Sequence, residues 1–178
     1  MSEGTHRPFI LMQSSTNRKH VTMTSLPLHP LVVHAAVMLL VLVPLAVLVS
    51  LFWRGLRNRL DWLLPLGAVG GAIAAIAADI TGKQLLLQLK QGSQLVASHA
   101  DLGDKGPWVA GVFAVATIGW WLTSSEVMKS LVEAKQPWLR RGRIPLVASI
   151  LMAIACIVMI VVIVLIGDSG ARAVWTNR

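Results

Sequence analysis

Five histidines and eight carboxylates are few for a chain of 178 residues, so where they stand carries most of the information. His29 and His34 sit at the start of a long apolar run, the second of them inside it. Asp79 ends a run rich in glycine and alanine, His99 and Asp101 precede a third run, and Asp168 follows a fourth. Imidazoles and carboxylates are the side chains that bind metal ions, ligate haem iron and carry protons. Within or beside an apolar helix such groups are costly, and they usually face a partner.

Three readings use this set. In the first, His34 and His99 are axial ligands of a haem b, because imidazoles from two helices of a bundle are a recurring haem arrangement. In the second, His29, His34 and His99 join Asp79 or Asp101 in a mixed nitrogen–oxygen metal site. In the third, His29 and His34 are interfacial, Asp79 links helices by hydrogen bonds, and the protein acts in structure or partner docking. Taken singly, His29 precedes Pro30 and reads as a solvated histidine in an extended link. His34 lies in an apolar run, which favours function, whereas His99 lies in a polar stretch. Asp79 has Lys83 four residues on and Asp168 has Arg172, both at the spacing of a helical ion pair. His6 and His20 fall in a polar N-terminal stretch and carry no signal.

The elements that hold these residues follow from composition. Of the chain, 55% is hydrophobic and 13% charged, with a mean hydropathy of +0.68. Soluble domains carry about 25% charged residues. The charges here flank long uncharged runs, as a bilayer requires. The expected fold is all-α, a polytopic membrane protein with a four-transmembrane-helix bundle over residues 26–175. Its spans fall near 31–53, 62–82, 107–125 and 144–166. Gly67, Gly71 and Ala75 recur every four residues, a small-residue ridge that admits a close neighbour, and Asp79 continues the series. Residues 83–107 read as an extension of the second helix or a short surface helix. Gly106-Pro107 then starts the third span, or a helix from near Ser98 bends at the proline. Trp120 and Trp121 suit a headgroup boundary. Residues 1–25 read as disordered, with Met23 a start that would lose nothing structural, and 176–178 as a tail.

Four crossings put both termini on one side, and His29, His34, Asp79, His99, Asp101 and Asp168 with them, whichever way the protein is inserted. The opposite loops carry Arg54, Arg57, Arg59, Lys129, Lys135, Arg140, Arg141 and Arg143 in compact clusters. That compactness favours termini outside the cytoplasm. The net charge of +8 is therefore membrane-edge charge rather than a nucleic-acid surface. Cys156, the single cysteine, excludes an internal disulfide and reads as a small apolar helix residue.

In order along the chain stand Leu28-His-Pro-Leu-Val-Val-His34, the glycine-rich second helix ending in Asp79, His99-Ala-Asp-Leu-Gly and Gly167-Asp-Ser-Gly-Ala-Arg-Ala-Val-Trp175. Over residues 26–175 this resembles the bacterial membrane domain-of-unknown-function family 2231. The resemblance implies a four-helix domain of the bacterial inner membrane, joined in some relatives to Rieske or c-type cytochrome domains, and hence electron transfer. This chain has neither Cys-x-x-Cys-His nor paired Cys-His signals, so a redox partner would be a separate protein. No phosphate-binding loop, Gly-x-Ser-x-Gly or His-Glu-x-x-His is present, and a protein that is not by itself an enzyme is expected. Gly167-Asp-Ser-Gly170 matches a serine-protease motif by letters alone.

Overall fold

The computed structural model describes residues 28–88 and 94–175, and all regular structure among them is helical. The expectations for residues 1–25 and 176–178 lie outside the described residues. The elements are α1 (Leu28–Phe52), α2 (Arg54–Leu60), α3 (Leu63–Gln88), α4 (Gln94–Gly103), α5 (Gly106–Ser124), α6 (Lys129–Lys135) and α7 (Ile144–Trp175). A 3-10 turn at Pro137–Arg140 precedes α7.

Helices α1, α3 and α7, and α4 with α5, make four segments long and apolar enough to cross a membrane. In the most apolar stretch of each, only 22–39% of residues are buried inside the bundle. Met38, Leu42, Ile73, Val112, Val115 and Ile154 all point outward. A water-soluble bundle turns its apolar stripe inward and exposes a polar one. Apolar faces on this scale point to a multi-pass membrane protein.

The four long helices form a ring in which α1 packs on α3, α3 on α5, α5 on α7 and α7 back on α1. Chain neighbours run antiparallel, joined at one end by α2 and at the same end by α6 and the 3-10 turn. Leu40, Val47, Ala68, Phe113, Trp120 and Met159 are at the core, with Cys156 fully buried among them.

Glycines set the α1–α3 contact. A Cβ on Gly67 would lie 2.7 Å from Val43 Cγ2, and one on Gly71 would lie 2.8 Å from Leu40 Cδ2. Neither approach is tolerable, and Leu40 is itself buried at 2% exposure, so its side chain has nowhere to move. The small-residue ridge therefore faces α1 as its spacing predicts.

Three features depart from the sequence reading, and one choice it left open is decided. First, α1 starts at Leu28, so His29 is helical rather than part of an extended link. Pro30 falls in the first turn, where its missing N–H removes no intrahelical bond. Second, α7 continues to Trp175, nine residues past the expected end at Ile166. Gly167 and Gly170 weaken that extension by about 1 kcal/mol each relative to alanine. The Asp168–Arg172 ion pair at 2.8 Å and the packing of α4 on α7 act against that. Third, the choice left open for residues 83–107 is decided: α3 extends to Gln88, and α4 is a separate short helix that turns at Asp104–Lys105 into α5. Finally, Trp120 is a core residue whose Nε1 donates to Ser149 Oγ at 3.2 Å, not a boundary residue. Its neighbour Trp121 is half-buried and donates to Asp61 Oδ1 at 3.2 Å.

Substituting Gly71 by Leu should lower the melting temperature in detergent, corresponding to a loss of about 1–3 kcal/mol from overpacking. Gly70→Ala is the control, because a Cβ there meets only Leu39 Cδ1 at an ordinary 3.8 Å. Equal melting temperatures for Gly71→Leu and the unmodified protein would mean that α1 and α3 are not packed through this ridge.

Candidate functional site

The end of the bundle that carries the N-terminus of α1 holds a cavity of about 230 Å³. His29 reaches it from α1, Asp79 and Lys83 from α3, His99 from α4, Pro107 from α5 and Ile166 from α7. Its walls are otherwise mostly aliphatic, among them Val33, Leu40, Leu86, Val96 and Ile163.

The two histidines are seated alike. His29 Nδ1 lies 3.0 Å from Thr81 Oγ1, and Thr81 donates its hydroxyl hydrogen to Ala77 O at 2.8 Å. His99 Nδ1 lies 2.8 Å from Ser169 Oγ, and Ser169 donates to Ile166 O at 2.8 Å. In this geometry each hydroxyl can donate to its own helix while accepting from Nδ1, an arrangement that suits the Nδ1–H tautomer of both rings. The glycine after each hydroxyl makes room for the ring. A Cβ on Gly82 would come within 3.2 Å of His29 Cε1, and one on Gly170 within 3.0 Å of His99 Cε1.

The pair singled out by spacing, His34 with His99, does not share this cavity. His34 is exposed on α1, donates from Nδ1 to Pro30 O at 2.6 Å, and is not a lining residue. His29, taken singly as a link residue and included only in the metal reading, takes its place. The helical period explains the exchange: five residues on from His29 is about 140° around the helix, on another face. Asp79 reaches the cavity but is held by Lys83 Nζ at 2.9 Å, and Lys83 also meets Asp104 at 3.3 Å. Asp101 is exposed, and Asp168 pairs with Arg172. Among the described residues no three of His, Cys, Asp and Glu gather closely enough to hold a metal ion. The mixed site of His29, His34, His99 and Asp79 or Asp101 is thus not assembled here.

Sequence reasoning passed over Thr81, Gly82, Ser169 and Gly170. A signal was present, since Asp79-Ile-Thr-Gly-Lys83 and Asp168-Ser-Gly-Ala-Arg172 both place a hydroxyl–glycine step between an acid and a base four residues apart. Asp61 was also passed over, at the opposite end. It is 6% exposed, accepts from Trp121, and has Oδ2 buried without a protein partner. Nearby, burial holds the Arg57 guanidinium below its ordinary pKa, Arg54 and Arg140 add to that, and Glu126 partly offsets it. Arg140 Nη1 donates to Ser125 O at 2.7 Å and caps the end of α5. This end is a cationic rim, whereas the other sets two imidazoles on a mostly aliphatic cavity.

Gly170→Val should displace the His99 ring while leaving His34 untouched. In ¹⁵N-histidine spectra the His99 ring signals should move and those of His34 should not. Unmoved His99 signals would mean that the ring is not seated on Gly170. No family model, curated protein or solved structure matches this chain.

Proposed function

We propose that the protein spans the bacterial inner membrane with both termini outside the cytoplasm, and that its His29–His99 cavity holds a haem b in membrane electron transfer. The observation that carries this reading is the donor set: two imidazoles lining one cavity, each with Nδ1 against a hydroxyl oxygen, and no cluster of three or more His, Cys, Asp or Glu among the described residues. A bare metal ion needs about four or more donors from its site. A porphyrin brings four of its own and asks the protein for two. Each imidazole also donates its other ring N–H to a fixed acceptor, as metal-bound histidines do. The aliphatic walls suit an apolar macrocycle.

When bound, haem supplies a one-electron couple. The chain's own part is to present the two Nε2 lone pairs, fix the ring planes through Thr81 and Ser169, and exclude water with aliphatic side chains. Electrons would enter from and leave to a separate redox protein, the partner that the likeness to family 2231 implies. The cavity of about 230 Å³ is below the roughly 300–1,000 Å³ of ligand pockets. Uptake therefore requires outward movement of α4, a helix of ten residues that packs chiefly on α7.

The test is the absorption spectrum of protein purified in detergent from haem-sufficient cells, oxidised and dithionite-reduced, with metal analysis on the same sample. The expected result is a Soret band that is lost in both His29→Ala and His99→Ala and kept in His34→Ala. A colourless, metal-free protein would leave structure or partner docking as the role. Metal without porphyrin would return the site to an ion. Orientation is read separately: alkaline phosphatase fused to Arg178 should be active, and fluorescence from a cytoplasm-only reporter at that position would reverse it.

A further inference from the structure

At the end of the bundle away from the histidines, the two links between spans bring cations together around one carboxylate. Arg54 on α2 meets Glu126 at 3.6 Å, and Lys129 on α6 meets the same side chain at 3.8 Å. Arg140 donates to the carbonyl of Ser125, the residue before Glu126, at 2.7 Å. Arg57 stands three residues on from Arg54, on the same side of α2. Among the described residues no carboxylate lies within ion-pair distance of Arg57 or Arg140. Asp61 does not serve Arg57 although it is four residues along: its Oδ1 accepts from Trp121 and its Oδ2 is buried without a partner. Arg57 is half-buried, and its Nε is buried with no hydrogen-bond partner. Burial and the nearby Arg54 and Arg140 already hold this guanidinium below its ordinary pKa. The protein leaves its counter-charge to come from outside the chain.

We propose that Arg57 and Arg140, flanked by Arg54 and Lys129, form a headgroup site for the phosphate of an anionic phospholipid. The chemistry is that of the guanidinium, whose planar fork of N–H donors matches phosphate oxygens. The location selects the lipid as the source. Trp53 adjoins Arg54 and Trp138 is two residues from Arg140, and both indoles are exposed, as is Trp62 before α3. Exposed tryptophans beside arginines mark the headgroup layer of a membrane protein, where lipid phosphate is the anion at hand. A soluble acidic partner would have to displace that lipid to reach a half-buried guanidinium. Arg59, Arg141 and Arg143 are exposed on the same links and add general attraction to an anionic surface. Arg57 and Arg140 differ from them in being half-buried against the bundle, so that one lipid is held in place. The proposal needs the protein to be in a membrane, but neither the haem nor the orientation.

The test uses the full-length chain, stripped of lipid in detergent, with phosphatidylglycerol or phosphatidylcholine added back. Native mass spectrometry counts the lipids retained, and the melting temperature reports what they stabilise. Phosphatidylglycerol should be retained as a single molecule and raise the melting temperature, whereas phosphatidylcholine should do neither. Arg57→Gln should weaken that retention about tenfold, the size of one charge-assisted hydrogen bond. Without lipid it should melt no lower than the unmodified protein, because it removes a half-buried charge that has no partner. Arg140→Gln should also weaken retention, but it loses the bond to Ser125 as well, so Arg57→Gln is the cleaner variant. Arg59→Gln removes the same formal charge from the exposed face of α2 and should retain the lipid as before. Equal losses in Arg57→Gln and Arg59→Gln would reduce the effect to net charge and overturn the site. Equal retention of the two lipids would overturn it too. So would inorganic phosphate that stabilises the protein as well as phosphatidylglycerol at the same concentration, since the ligand would then be a free anion.

Discussion

The seam between α1 and α3 fixes the position of much else in the molecule. Val43 lies on Gly67, Leu40 on Gly71 and His29 on Gly82. From Leu40 to His29 is eleven residues back along α1, and from Gly71 to Gly82 is eleven residues forward along α3. Eleven residues make very nearly three turns, so one face of each helix stays in contact along that whole length. The close approach that glycine permits in the middle of the bundle therefore delivers His29 onto Thr81 and Gly82 at its end. A larger residue at Gly71 would push the helices apart and lift the imidazole from its hydroxyl.

A second seam of the same kind joins α4 and α5 to α7. His99 lies on Gly170, and Trp120 bonds Ser149, twenty-one residues along in each direction. The turn at Asp104–Lys105 interrupts the helix without losing this overall register. The chain thus presents two antiparallel pairs, α1 with α3 and α4–α5 with α7, each bringing one histidine to the same end. The cavity forms because the two pairs meet there, and neither pair alone encloses it.

Outward faces made of leucine, valine and isoleucine leave polar groups little choice of partner. The buried hydroxyls of Thr117 and Thr123 turn back to carbonyls of their own helix, as do those of the half-buried Ser124 and Ser149. Thr81 and Ser169 do the same, and their oxygens lie against Nδ1 of the two histidines. The constraint that satisfies a hydroxyl inside an apolar bundle thereby suits the Nδ1–H tautomer of both rings. At the other end Trp121 donates to Asp61 and Arg140 to the carbonyl of Ser125 at the end of α5.

Hydropathy and spacing were sufficient for the helical class, the four long apolar segments and the face of α3 that meets α1. Each of these depends on periodicity within one segment, which a sequence displays directly. The i+4 pairs Asp79–Lys83 and Asp168–Arg172 were legible for the same reason. The gathering of His29, Asp79 and His99 at one end also followed, from counting crossings. Which histidine faces inward did not. Hydropathy marked His34 because its neighbours are apolar, but in a helix surrounded by apolar residues the outward positions look the same as the inward ones. Rotation about the α1 axis is decided by the fit of Leu40 and Val43 onto glycines of another helix. The extension of α7 through Gly167 and Gly170 was hidden as well, since local propensity argues against it and contact with α4 acts in its favour. The sequence by itself thus determined the four long apolar segments, the small-residue face of α3 and the end at which polar groups collect. Only the tertiary structure decided that His29 and His99 line one cavity, because helix rotation and register depend on contacts between residues 50 to 70 positions apart.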